Sequence, residues 1–143
     1  MTNLYIDRHG NTHINDTGYF ATKKSCFAII EKDEKILLTF PKKQIVGEFP
    51  GGFVERGEGL ETSLSREFFE ETGLNIEFGK SSKQLTQDVL YFADDIRPNG
   101  EFWNYQQIFL FFDFNKLNIS QPSFPWQTPE GGYAGWYSKH DFL

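Results

Sequence analysis

The stretch GGFVERGEGLETSLSREFFEETGL, Gly51 to Leu74, sets six glutamates against two arginines. Leu60, Leu64 and Phe68 recur at helical spacing and Gly73 stands where a helix would stop, so a helix is expected over Glu61–Thr72. Glu67 then lies three positions from Glu70 and four from Glu71, which places three carboxylates on one side, separate from the apolar stripe. At about 6 Å and an effective dielectric near 20, each such pair repels by roughly 3 kcal/mol. Glu70 and Glu71 also fall in the last turn, where the helix dipole disfavours an anion by about 0.3 to 1 kcal/mol. Arg66 offsets only part of this, by reaching Glu70 one turn on or by folding back towards Glu58. A cation is missing. A hard divalent ion with oxygen ligands meets the need, Mg2+ best, with Mn2+ as a substitute.

Taken alone, REFFEE would be a solvated acidic helix face, and Gly51-Gly52 after Pro50 would simply turn the chain. The spacing weighs against both. From Gly52 there are five residues to Glu58, seven more to Arg66-Glu67, then apolar Phe68, Glu70-Glu71, Gly73 and apolar Leu74. Chance coincidence of seven fixed positions in a chain of this size is on the order of one in a million. The pattern resembles the signature of the Nudix hydrolases at every fixed position, over 23 residues or about a sixth of the chain.

That resemblance implies an α+β fold, the Nudix α/β/α sandwich with a mixed β-sheet and a loop-helix-loop. It implies a metal-dependent pyrophosphohydrolase, in which water attacks phosphorus in a nucleoside diphosphate linked to another moiety. The metal would be held by the Gly51 carbonyl with Glu67, Glu70 and Glu71. Glu67 and Glu71 would be the principal ligands, and Glu70 a ligand or a water-orienting group. Arg66 would act beside them, and Glu58 would position Arg66 or reach the metal through water. An ion between carboxylates and diphosphate also explains how an acidic protein takes a polyanion, because it inverts the local charge.

Further candidates lie outside the signature. Glu130, six residues before Trp136, has a spacing similar to the MutT-type branch, where a late glutamate completes the metal site or acts as base; a turn after Thr128-Pro129 is the plainer account. Asp94, Asp95 and Glu101 compete for that role. Tyr91, 17 residues beyond Leu74, resembles a tyrosine marker of diadenosine polyphosphate hydrolases, and it also suits a strand core. No proline occupies the window that would mark ADP-ribose enzymes. A nucleoside triphosphate or dinucleoside polyphosphate is therefore the favoured substrate class. Lys42 and Lys43 could meet phosphates, and Trp103, Tyr105, Phe124 and Trp126 could stack on a base or simply pack.

Near the amino terminus, LYIDRHGNT resembles the nucleophile loop of the histidine phosphatases, with Arg8-His9-Gly10 at its centre. The downstream chain is taken up by the Nudix-like segment, and His140 is a poor second histidine. A hairpin turn is the expected reading, beside two alternatives for the whole chain: a histidine-phosphatase-like enzyme or a non-catalytic nucleotide-binding relative.

These residues need elements to position them. A chain of 143 residues suits one domain, 1–143, with residues 1–20 as an N-terminal hairpin extension. Sixteen Phe, six Tyr and three Trp offer ample apolar surface for a core. LYIDR and THIND read as a hairpin, KSCFAII and KILLTF as two antiparallel strands around Asp33-Glu34. LNIEF, QLTQDVLYF, EFWNYQQIFLFFDF and GYAGWYS read as further strands, with a loop over Asn115–Pro129. Strands on both sides of one helix favour an α+β sheet. A net charge of −6 argues against nucleic-acid polymers and anionic membranes as partners, leaving a small nucleotide. The single Cys26 reads as a buried small hydrophobe and, with no basic and apolar leader in view, implies a reducing, cytoplasmic compartment. Oligomeric state stays open, a homodimer included.

Overall fold

Alternating apolar positions along the chain become strands in the structure, a computed structural model that describes residues 3–42, 45–94, 101–117, 126–129 and 131–142. In chain order these are β1 (Leu4–Ile6), β2 (Thr12–Ile14), β3 (Ala21–Lys32), β4 (Lys35–Phe40) and β5 (Gly51–Phe53). The helix α1 (Leu60–Thr72) follows, then β6 (Lys83–Thr86), β7 (Leu90–Ala93), β8 (Phe102–Asp113), β9 (Trp126–Gln127) and β10 (Tyr133–Ser138). Other helical structure among the described residues is limited to 3-10 turns at Phe114–Lys116 and Lys139–Phe142. The fold is α+β, as the residue pattern implied. The chain divides into two compact units, Met1–Lys24 with Thr86–Gln107, and Ser25–Leu85 with Ile108–Leu143.

In the first unit, β1 and β2 pair antiparallel with Leu4 opposite Ile14 and Tyr5 opposite His13. The turn between them is organised by Asp7. Its Oδ1 accepts the N–H groups of His9 at 2.8 Å and Asn11 at 3.0 Å, and its Oδ2 lies 2.7 Å from His13 Nε2. Gly10 takes a φ of 84°, which a side chain would resist. The Arg8-His9-Gly10 stretch is thus a side-chain-bonded hairpin turn. Behind it, Tyr5 meets Phe20 and Phe102 edge-on, and Phe20 meets Tyr91. β7 and the start of β8 pair antiparallel, with Phe92 opposite Trp103.

The second unit is built on strands in the order β6-β8-β3-β4-β10-β9, with β5 added to β3. β3 and β4 pair through a two-residue turn in which Asp33 and Glu34 take positive φ values of 51° and 63°, the backbone twist that suits a tight hairpin. Cys26, Ala28 and Ile30 of β3, Leu37 of β4, Leu110 of β8 and Ala134 of β10 form the core with Leu64 and Phe68 of α1. The apolar stripe expected on the helix is the face it buries. Cys26 is inside that core, the buried small hydrophobe expected from the sequence, and burial pushes its thiol up to about 12.

Two expected strands differ. LNIEF alternates in burial, with Ile76 and Phe78 inside, yet forms no ladder: the Phe78 N–H donates to Ser65 Oγ on the helix. An extended, half-buried segment needs only some partner for its polar groups, and a side chain supplies it here. QLTQDVLYF is broken into β6 and β7, although Gln87 N still donates to the Gln107 carbonyl between them. Of the expected loop over Asn115–Pro129, residues 118–125 lie outside the described part, and Trp126–Gln127 form the short strand β9.

Asp7 is held well below its ordinary 3.8, at about 2, chiefly by the bond to His13. A carboxylate with a lowered folded value contributes stability above its unfolded value, and that contribution is lost as pH falls from about 3.8 to about 2. Hydrogen-exchange protection of the His9 and Asn11 amides is expected to fall in that window, and to drop about tenfold in Asp7→Ala at neutral pH.

Candidate active site

α1 is entered from Gly59, which offers no side-chain cap, so the preceding loop is tied down by other means. Glu58 N donates to the Glu55 carbonyl, Glu55 N donates to Glu58 Oε1, and Gly57 turns the chain at a φ of 80°. Arg66 then clamps loop to helix. Its Nε and Nη2 form a fork on Glu58 at 2.8 and 3.0 Å, Nη2 also reaches the Phe53 carbonyl at 2.9 Å, and Nη1 reaches Glu67 at 3.0 Å. A longer contact of 3.4 Å joins Nη1 to Glu70. Both directions open to Arg66 in the sequence are therefore used at once. The pairing with Glu58 is the main reason that Arg66 is raised above its usual range and Glu58 drawn below its own.

Glu67 and Glu71 turn onto β5. A Cβ at Gly52 would stand 2.7 Å from Glu67 Cδ, so the carboxylate occupies the space a side chain would fill. At Gly51, φ is 145° and a Cβ would run into the Cys26 carbonyl oxygen, because β5 presses close to β3. The two glycines thus serve different needs: one lets backbone meet backbone, the other lets a carboxylate meet backbone. Gly51 N donates to Glu71 Oε1 at 3.1 Å, and Thr39 Oγ1 donates to Glu71 Oε2 at 3.2 Å.

The charges are unevenly matched. Burial pushes Glu67 up despite its contact with Arg66, because loss of water outweighs that attraction. Burial also pushes Glu71 up to about 7; the Gly51 and Thr39 donors offset part of this, while Glu67 and Glu48 add repulsion. Among the described residues no ion pair reaches Glu71. Glu70 differs from both, with its side chain 55% exposed. Among the described residues no group of three or more acidic, His or Cys side chains converges to hold an ion outright. Hard carboxylate oxygens kept from water without a matching cation nevertheless fit a divalent ion in chemical type and charge.

Other expected site residues lie elsewhere. Lys42 is exposed just beyond β4, with its aliphatic stem against Gly131. Glu130, Lys43, Asp95 and Phe124 are outside the described residues. Tyr91 and Trp103 belong to the first unit, Tyr91 packed edge-on to Phe20 and Trp103 against Phe92 and Tyr105 with Lys23 over its ring. Trp126 donates its indole N–H to the Thr72 carbonyl at 2.9 Å, so it braces the end of α1. Thr39 and Glu48 were missed. A lone hydroxyl in the buried KILLTF strand was the available signal for Thr39; nothing in local spacing marked Glu48. A cleft of about 440 Å3 around Glu31, Lys32, Lys83 and Asp113 shares no residue with this site.

The chain matches the family model of the NUDIX domain over residues 22–142. An ADP-ribose pyrophosphatase of Methanocaldococcus jannaschii is 57% identical over 49 residues, which cover 32% of this chain and 29% of that protein. The match thus spans less than a third of that relative's length. Among solved structures, the E. coli ORF135 protein has a TM-score of 0.52 at 24% identity, covering 89% of this chain and 81% of its own. The MutT protein of Methanosarcina mazei Go1 has a TM-score of 0.52 at 19% identity, covering 87% and 82%. At such identities these two share the fold.

Two outcomes follow from the crowded carboxylates. For Glu71 the folded value of about 7 lies above the ordinary 4.5, so its contribution to stability is full below about 4.5 and is lost as pH rises through about 7. Urea denaturation in EDTA should show a loss of about 3 kcal/mol at most from this group between those limits. Glu71→Gln should remove most of that slope, and a slope that persists undiminished would place its origin elsewhere. Gly52→Ala should lower the unfolding free energy by about 1 to 3 kcal/mol in the same assay, as Glu67 is forced aside.

Proposed function

This chain belongs to the Nudix family, and on that premise we propose that it is a pyrophosphohydrolase acting on a nucleoside diphosphate linked to another moiety. The observation that carries the reading is the placement of Glu67 and Glu71 against the Gly51-Gly52 strand, both largely screened from water, with Glu71 lacking an ion-pair partner among the described residues. The proposed activity calls for a divalent ion, Mg2+ with Mn2+ as a substitute, which would supply charge neutralisation at the anhydride oxygens and an activated water. We assign the Gly51 carbonyl, Glu67, Glu70 and Glu71 to hold it.

The chain's own groups divide the remaining work. Arg66 fixes Glu58 and Glu67 relative to the Phe53 carbonyl, so that the loop before α1 and the helix present one preset surface. Glu70, with its side chain open to solvent, is the group we assign to orient the attacking water and accept its proton. Glu130 is the second candidate for that proton. Lys42 is exposed and suited to meeting a phosphate.

A nucleoside triphosphate or a dinucleoside polyphosphate is the favoured substrate, and ADP-ribose joins the comparison because the archaeal relative is named for it. The same proposal takes 1–143 as one hydrolase domain with residues 1–20 as an extension, acting in the cytoplasm. At the Arg8-His9-Gly10 turn, the bonds made by Asp7 support a structural role over a phosphohistidine one.

Mg2+-dependent release of a nucleoside monophosphate from at least one of these substrates is expected, with Glu71→Gln lowering kcat about a hundredfold or more. Nucleotide binding without turnover would make the chain a non-catalytic relative. Loss of turnover in His9→Ala, with Glu71→Gln active, would turn the assignment to phosphohistidine chemistry.

A further inference from the structure

β4 contributes buried side chains over most of its length, and its one hydroxyl is Thr39. The Thr39 main chain is already satisfied, because its N–H and C=O pair with Glu48 at 2.8 Å each. Its side chain is buried as well and has two acceptors in reach, Glu71 Oε2 at 3.2 Å and the Glu48 carbonyl at 3.3 Å. A hydroxyl has a single proton to donate. A charged carboxylate is the stronger acceptor of the two, so an ionised Glu71 draws that proton. The other Glu71 oxygen takes the Gly51 N–H. One donor sits on β4 and the other on β5, and each takes a different oxygen of the same carboxylate. Such a two-point grip fixes the rotation of the carboxylate about its last bond.

We propose that Thr39 is a positioning residue for Glu71, setting the plane of its carboxylate so that the remaining lone pairs are presented to a divalent cation. The inference rests on the reading of Glu71 as a ligand to such an ion. Thr39 itself touches neither ion nor substrate; it acts through Glu71. Removing the hydroxyl leaves one oxygen of Glu71 without its donor and frees the group to rotate, so a cation must then also order its ligand. The Thr39 main chain pairs with Glu48, on the chain leading into Pro50 and the glycine strand, so the two strands that grip Glu71 are themselves joined beside this point.

The test measures binding of Mn2+ alone, without substrate, by isothermal titration calorimetry on the full chain. Thr39→Val, which keeps the shape and removes the hydroxyl, should raise the Mn2+ dissociation constant about tenfold, while Thr39→Ser stays within about twofold of wild type. Urea denaturation of metal-free proteins runs beside it, because a purely structural role would lower stability in Thr39→Val and leave the dissociation constant unchanged. That result overturns the proposal, as does weakened binding in Thr39→Ser equal to that in Thr39→Val. Should Thr39→Val fail to fold, Thr39→Ala takes its place with the same expected loss and the same overturning result. Absence of Mn2+ binding in the wild type would sink the ligand reading of Glu71 and this inference with it; wild-type binding matched by Thr39→Val sinks this inference alone.

Discussion

One condition governs the second unit: negative charge is held where water is scarce and the protein's own cation is already committed. Arg66 lies among four acidic groups, yet its strong fork goes to Glu58, and only a single nitrogen reaches Glu67 and Glu70. Glu71 is left with neutral donors and acidic neighbours. Burying an ionised carboxylate without a counter-charge is costly. A fold that retains such a group must either keep it protonated or take a counter-charge from outside the chain, and this is the physical basis of the cation proposed for the site.

The same condition explains the glycines and the core beneath them. Glu67 and Glu71 approach β5 because α1 is anchored by Leu64 and Phe68 in the sheet's interior, which fixes the rotation of the helix about its axis. With the helix seated so, positions one turn apart on its flank, 67 and 71, aim at the strand, whereas position 70 is turned toward solvent. The strand then has no room for side chains at its two glycines: Gly51 is crowded by β3, Gly52 by Glu67. Even the helix end obeys this tightness. Gly73 takes a left-handed φ of 76°, donates to the Phe69 carbonyl at 2.7 Å, and would meet the Pro129 ring with any side chain.

Features written in local spacing were legible. The helix and its stop, the turn at Asp33-Glu34 and the hairpin around Gly10 all depend on residues a few positions apart, and they stand where the sequence placed them. Features that depend on distant partners were not. LNIEF has the alternation of a strand, but a ladder needs a neighbour, and Phe78 found Ser65 instead. The three carboxylates are close in sequence and were expected as one group; their separation into two inward-facing and one exposed follows from how the helix is seated. Trp126 offered a stacking surface by type, and the contact it makes is a hydrogen bond to a residue 54 positions away.

By itself the sequence determined that an acidic helix would follow a glycine pair, which side of that helix would be buried, and that its charge would exceed what Arg66 could match. These are consequences of period, residue type and charge count, all local quantities. Only the tertiary structure decided that Gly51 and Thr39, 20 and 32 positions from Glu71, would each take one of its oxygens. Burial depends on which surfaces meet, and the ionisation of a carboxylate depends on burial. The charge was therefore visible in the letters, while its environment, and hence its chemistry, came from the packing of α1 against β4 and β5.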